Sequence, residues 1–289
     1  MDVRIRRADS ADAEACGRVI YEAFKGISVR HGFPPDFHST QAASRVASFF
    51  IEHPSIFSVV AEHEGQVVGT TFLDERDVIR GVGGVAVDPP LQGRGIGRRL
   101  MEAVLRRARD AVGIRLVQDA FNASSMSLYA SLGFEVKEPL VSIRGKPKGE
   151  PPAKSEVRPM RWADVEECAL LCRQVHGFDR SHELRDALGA PQGCSPLVAL
   201  RQGRVVAYAY TVFRNLAHGV AETEPDMRAL ILGVGATSAE PFAFFLPTRQ
   251  ARLFRWCLSQ GLRVIKPATL MAIGAYREPK GCFIPSGLY

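Results

Sequence analysis

No apolar run reaches the ~18–20 residues that a bilayer crossing needs. The stretch from Asp2 to Arg7 is charged where a leader peptide would be apolar. A cytoplasmic protein without a membrane partner is the expectation. The six cysteines include no C-x-x-C pair. Cys168 and Cys172 lie one helical turn apart, but nothing nearby completes a four-ligand set, so no metal is expected. Acid is the minority charge: 31 Asp and Glu against 37 Lys and Arg give +6, with a pI near 9.1. That balance favours an anionic ligand. The arginines are spread along helices rather than run together, which argues against nucleic acid. Two nucleotide signatures are also missing. Counted from Gly93 or Gly95, the last glycine of G-x-G-x-x-G falls on Arg98 or Leu100, and no Gly-Lys-Ser or Gly-Lys-Thr occurs.

What is present centres on Val85 to Leu100. Val85 and Val87 carry β-branched bulk, and Pro89-Pro90 end a strand because neither donates to a ladder. Gln92-Gly-Arg-Gly-Ile-Gly97 follows. Three glycines at alternate positions permit positive φ and close approach of a ligand to the backbone. Ile96, Leu100, Val104, Ala108 and Val112 recur every four residues, predicting a helix. Backbone N–H groups at such a turn, backed by a helix N-terminus, form an anion site. Arg94, Arg98 and Arg99 add positive charge. A second strand, turn and helix spans Leu116 to Phe134: Asn122 is placed to cap the helix, Leu128 and Leu132 share a face, and Gly133 closes it.

Together the blocks Q-x-x-G-x-G after V-x-V-D-P, and Asn122, Leu128-Tyr129 and Gly133-Phe134, resemble the GNAT acetyltransferase superfamily. The likeness covers Val3 to about Ile143. It implies an α/β fold whose mixed, mostly antiparallel sheet is splayed at its centre and flanked by helices. It implies acetyl-CoA as cosubstrate and no metal. The residues implied to hold it are Val85, Ala86 and Val87 on the strand, Gln92, Gly93, Arg94, Gly95, Ile96, Gly97 and Arg98 at the turn, and Asn122, Ser125 and Tyr129. Tyr129 is the implied acid for the leaving thiolate. Protein-lysine members often carry a glutamate on the preceding strand; here that place is Gly81, after Arg80. Glu75 and Asp77, a few residues upstream beside Asp74, are the candidate catalytic carboxylates, or the amine arrives neutral and positioning supplies the rate. His31, Asp36 and His38, in a glycine- and proline-punctuated loop, are candidate acceptor contacts.

Along the rest of the chain, Ile56–Ala61 and Gln66–Leu73 flank Glu64-Gly65 as a hairpin. Glycines 81, 83 and 84 suggest a bulge and a close backbone approach. The stretch 145–155 is rich in proline, glycine and lysine and reads as a linker. Residues 1–144 form the expected catalytic domain, and 156–289 a degenerate copy, giving two tandem GNAT-like domains. Val157 to Cys168 echoes Ile5 to Cys16, and Gly261 answers Gly133. Where the glycine turn should recur stand Glu222, Glu224 and Asp226, and Cys257 and Gln250 answer Tyr129 and Asn122. The second half is therefore expected not to bind coenzyme A, and to wall the acceptor pocket or form a homodimer surface. The apolar ending from Gly274 to Tyr289 is expected to pack rather than fray. The expected function is acetyl transfer to a primary amine of a small molecule or peptide in a ternary complex. The alternative is a non-catalytic acyl-CoA sensor or scaffold.

Overall fold

The computed structural model describes residues 2–153, 155–189, 194–212 and 215–288; Met1, Lys154 and Tyr289, named with the leader, linker and tail, fall outside them. The first half runs β1 (Arg4–Arg7), α1 (Ala13–Arg30), α2 (Thr40–Glu52), β2 (Ile56–His63), β3 (Gln66–Asp74), β4 (Ile79–Val87), α3 (Ile96–Arg107), β5 (Gly113–Asp119), α4 (Ala123–Ser131) and β6 (Glu135–Gly145). The second repeats the order: β7 (Glu156–Pro159), α5 (Val165–His176), α6 (Ser181–Gly189), β8 (Leu197–Arg201), β9 (Arg204–Val212), β10 (Asn215–Ala221), α7 (Glu224–Thr237), β11 (Phe242–Pro247), α8 (Ala251–Ser259) and β12 (Arg263–Gly274). A final strand, β13 (Cys282–Ile284), follows.

The repeat extends to single side chains. Asp12 takes a two-pronged pair from Arg6 at 2.7 and 2.8 Å and accepts from the Asp9 amide. Asp164 takes the same pair from Arg158 at 2.7 and 2.8 Å and accepts from the Arg161 amide. In each half one carboxylate therefore fastens the first strand to the entry of the first helix. The hairpin falls where expected, with Glu64 at φ 50° and Gly65 at φ 74°, the pair of positive φ values a tight hairpin turn requires. The helix after the glycine turn stops at Arg107, short of the expected periodic stretch, and Val112 is 57% exposed. Ala108 leaves the α-helical region at φ −89° and ψ 13°, so the apolar spacing outlasts the helix.

The sheets do not divide as the halves do. One has eight strands in the order β1-β2-β3-β4-β5-β12-β6-β11, and the other five, β13-β10-β9-β8-β7. β12 thus sits between β5 and β6, and β6 sits between β12 and β11. Each half lends its last strand to the other. β12 pairs with β5 from Ala268↔Asp119 to Gly274↔Gly113, and its Met271 and Ile273 pack in the first half's core beside Leu116 and Tyr129. Ile143 of β6 packs in the second half's core with Leu253 and Phe242. Among the described residues all ladders are antiparallel except β4 with β5, which is parallel and runs from Ile79↔Gly113 to Val82↔Leu116. Beyond Val82 the two strands splay. Between β3 and β4 the register shifts at Thr70/Phe72, where Gly84 has φ +63°, which is the expected bulge.

Beneath the second sheet lies a buried polar cluster. His218 Nδ1 lies 3.2 Å from the Arg180 guanidinium and Nε2 3.2 Å from the Tyr208 hydroxyl. Arg180 can only donate, so the imidazole is neutral. Burial, then the charge of Arg180, holds the His218 pKa well below its ordinary value, and burial followed by Arg115 does the same to His176.

Two outcomes follow from this architecture. A chain ending at Ser155 lacks β12, so β5 and β6 face a missing central strand. It is expected to be insoluble or molten by near-ultraviolet circular dichroism, whereas a chain of independent halves would leave residues 1–155 folded. The histidines bind a proton more readily unfolded than folded. Stability is therefore fully present above the unfolded pKa of ~6.5 and falls as pH drops below it, by about 1.4 kcal/mol per pH unit for each histidine. Urea midpoints between pH 7 and 5 check this, and His218→Gln should flatten the slope.

Candidate functional site

A cavity of about 1860 Å³ opens from the glycine turn through the β4/β5 gap to the second half. Its end at the glycine turn is made of backbone. Gly93 and Gly95 have φ of +75° and +81°, and a Cβ at either would meet open space, so glycine is required here by conformation rather than by crowding. The Gln92 side-chain amide donates to the Val87 carbonyl at 2.9 Å and closes the turn onto the end of β4. The Arg99 amide bonds back to Gly95 O at 3.1 Å, leaving the Ile96, Gly97 and Arg98 amides facing out of the helix end. Past Val82, β4 and β5 leave one another's edges open. The turn therefore presents outward amides of the kind that suit an anion, and the open strand edges suit an extended chain.

Of the sequence-derived set, Val85, Val87, Gln92, Gly93, Gly95, Ile96, Gly97, Arg98, Asn122, Ser125 and Tyr129 line this cavity. Ala86 and Arg94 do not. Ala86 is 2% exposed and packs with Phe72 and Ile20 on the α1–α2 side. Arg94 is exposed on the turn. Arg98 bonds Ser131 Oγ at 2.6 Å, and Asn122 caps α4 by accepting from the Ser125 amide at 3.2 Å.

Tyr129 is 7% exposed and stacks edge-on against Phe134 at 6.1 Å. Among the described residues its hydroxyl has no hydrogen-bond partner. The contrast with other tyrosines is direct: Tyr208 meets His218, Tyr210 donates to Glu183, and Tyr276 donates to Glu138 at 2.7 Å. Burial, then the charge of Asp119, raises the Tyr129 pKa well above the phenol value, so the group stays protonated.

Glu75 and Asp77 are not in this site, which corrects the sequence expectation for both. Glu75 takes a two-pronged ion pair from Arg107 at 3.0 Å. Asp77 caps α6, accepting from the His182 and Glu183 amides at 3.3 and 3.2 Å. Both carboxylates are committed to joining elements, and neither lines the cavity. Asp74 is held by Arg76 at 2.5 Å. Of the loop candidates, Asp36 and His38 line the cavity, while His31 bonds Ile27 O at 2.9 Å and packs at a tilt on Phe121 with ring centroids 5.2 Å apart.

Sequence reasoning missed the groups that other elements bring in. Lys266 of β12 is 5% exposed, with Nζ 2.6 Å from Asp36 Oδ1 and 2.7 Å from Asp119 Oδ1. Burial works against its ammonium, but the two carboxylates outweigh it and its pKa is raised. Burial raises the Asp119 pKa despite Lys266. From the second half come Tyr210 and Glu183, the latter paired with Arg180 at 2.5 Å and Arg76 at 3.3 Å, together with Asn215, Phe244 and Ser286. No signal in the local sequence marks them. At the place in the second half that answers the glycine turn, Glu222 and Asp226 are bound by Arg201 at 3.1 Å, and Arg204 also pairs with Glu222.

Residues 23–134 match the model of the Acetyltransferase (GNAT) family. The N-alpha-acetyltransferase RimI of Mycobacterium tuberculosis is 31% identical over 141 residues, 46% of this chain and 78% of its own. A mycothiol acetyltransferase of Nocardioides sp. is 31% identical over 148 residues, 46% of this chain and 49% of its own, so the chain spans about half the length of that relative. A crystal structure from Pyrococcus horikoshii, assigned provisionally to the acetyltransferases, superposes with a TM-score of 0.76 at 16% identity, over 97% of this chain and 94% of that one. The chain belongs to the GNAT acetyltransferase family, and its fold is a tandem of GNAT-like halves.

The Lys266 arrangement gives a stability test. Lys266→Met leaves two carboxylates facing each other without their cation. It should cost about 3 kcal/mol in urea unfolding, whereas Asp36→Asn, which removes the more exposed partner, should cost under about 1 kcal/mol.

Proposed function

We propose that this chain transfers the acetyl group of acetyl-CoA to a primary amine of a small molecule or peptide, by direct attack in a ternary complex. The observation that carries the reading is Tyr129: a protonated phenol without a partner among the described residues, on the wall of a cavity that begins at a glycine turn. Bound acetyl-CoA supplies an activated thioester. The amides from Gly93 to Arg98 receive its diphosphate, with Asn122 and Ser125 beside them. The open edge of β4 from Val85 to Val87 receives its amide arm and offers N–H groups to the thioester carbonyl.

The amine nitrogen attacks the carbonyl carbon; the new C–N bond forms as the C–S bond breaks. Tyr129 gives its proton to the departing sulfur and recovers one from the amine through solvent. With Glu75 and Asp77 engaged elsewhere and glycine at position 81, the residues give the amine no dedicated carboxylate base on β4. Positioning of a neutral amine therefore carries the rate. One relative is a mycothiol acetyltransferase and another an N-alpha-acetyltransferase, and the acceptor here is set by the cavity wall that the second half builds.

Tyr129→Phe should lower kcat about 100-fold while leaving coenzyme A affinity by calorimetry within about twofold. Thiol release with a primary-amine panel is the assay. Unchanged kcat removes Tyr129 from the chemistry. Tight coenzyme A binding with no release for any amine favours the sensor reading instead.

A further inference from the structure

We infer that the acceptor carries an anionic group, a carboxylate or a phosphate, and that Arg144 and the Asn215 side-chain amide receive it on the cavity wall. This rests on the acetyl-transfer reading above and names the substrate class within it. On β6, Val141 and Ile143 pack in the second half's core, so Ser142 and Arg144 face the other way. Both line the cavity, with Ala243 and Phe245 of β11 and Ile265 and Lys266 of β12. This face carries cations in two rows. Lys266 stands across from Ser142 and is neutralised by Asp36 and Asp119. Arg263 stands directly across from Arg144, and both are exposed. Arg263 spends one N–H on the carbonyl of its neighbour Leu262 at 3.0 Å. Among the described residues no carboxylate pairs with either arginine, including Glu240, which lines the same cavity. Like charges directly opposite on one sheet face repel, and a bound anion would relieve that repulsion.

Asn215 adds a donor on the far side of Ala243. Ala243 is the partner of Arg144 on β11, and its amide donates to Asn215 Oδ1 at 3.1 Å. The Asn215 oxygen is thereby spent, and its NH2 group is left as a donor in a residue that lines the cavity. Arg144 and Asn215 thus flank Ala243 and offer N–H groups alone. A guanidinium fork matches the paired oxygens of a carboxylate or phosphate, and it repels an ammonium. The amine end of the acceptor therefore lies elsewhere, where Asp119 ends β5 beside the β4/β5 gap. Ala268 pairs with Asp119 on one edge and with Leu140 on the other, and Arg144 lies one full turn of the pleat pattern beyond Leu140 on the same face. Strand spacing and rise put the Asp119 and Arg144 backbones roughly 16 Å apart. The arginine side chain spans part of that. On the order of 10 Å remains between amine and anion, about the length of three extended residues.

The test uses the full chain with acetyl-CoA and matched acceptors. A tripeptide with a free α-amine and a free C-terminal carboxylate is set against its C-terminal amide, and an aminoalkyl phosphate against the amino alcohol. In at least one pair the anionic member should have a KM about tenfold below its neutral counterpart, and which pair responds tells carboxylate from phosphate. Arg144→Gln removes an exposed side chain bonded to no described group. It should fold normally, with a urea midpoint equal to or above that of the wild type. It should raise the KM of the preferred anionic acceptor about tenfold and leave its neutral counterpart, kcat and coenzyme A affinity by calorimetry unchanged. Arg144→Lys should restore part of the preference. Equal wild-type KM values within both pairs overturn the inference. So does a folded R144Q enzyme that keeps the wild-type preference, or one whose coenzyme A affinity weakens in step with the acceptor KM. If the wild type releases no thiol with any amine, the acetyl-transfer reading fails and this inference with it; release without a charge preference overturns this inference alone.

Discussion

The antiparallel pairing of β6 with β12 is the contact on which the cavity depends. It runs from Arg263↔Arg144 to Ala272↔Glu135, with two register shifts, and places each half's last strand inside the other's share of the sheet. Neither half can complete its hydrogen-bond ladder alone, and unpaired backbone groups in the interior of a sheet are too costly to leave. The halves are therefore held in one orientation. That orientation brings Lys266 to Asp36 and Asp119, and sets the second half's Tyr210 and Phe244 on the wall of the cavity that the glycine turn also lines. A flexible tether between two independent units could not hold side chains from both at hydrogen-bond distance.

The same exchange explains the division of labour between the halves. The first keeps a partial splay between β4 and β5 and an amide-lined turn. In the second, β10 and β11 belong to different sheets, and β13 takes up the edge of β10. The connection into α7 is short and acidic, with its carboxylates already neutralised by Arg201 and Arg204. The second half repeats the fold with arginine-bound carboxylates at that connection, and its residues line the cavity of the first.

Much of the cofactor end was legible in the sequence because it is built from contiguous backbone. The glycines of residues 93–97, the Asn122 cap and the apolar face of α3 are each short-range patterns with one physical solution, and Tyr129 follows Asn122 by two helical turns. Reasoning by proximity in the chain failed for Glu75 and Asp77. A carboxylate's partner is chosen by what the fold sets beside it, here Arg107 and the start of α6. Cys16, Cys168, Cys172 and Cys257 are buried free thiols whose pKa values burial raises.

The amino-acid sequence by itself determined the two strand–turn–helix blocks, the duplicated plan and the loss of the second turn, because each is written in residues close together whose φ preferences and periodicity act locally. Only the tertiary structure decided which strand lies beside which, where Lys266 goes, and that the chain after β13 seats on Gly81 and Gly83. Those outcomes turn on pairing between segments more than a hundred residues apart. In such pairing, edge complementarity and burial across the whole sheet outweigh any preference that a single stretch can express.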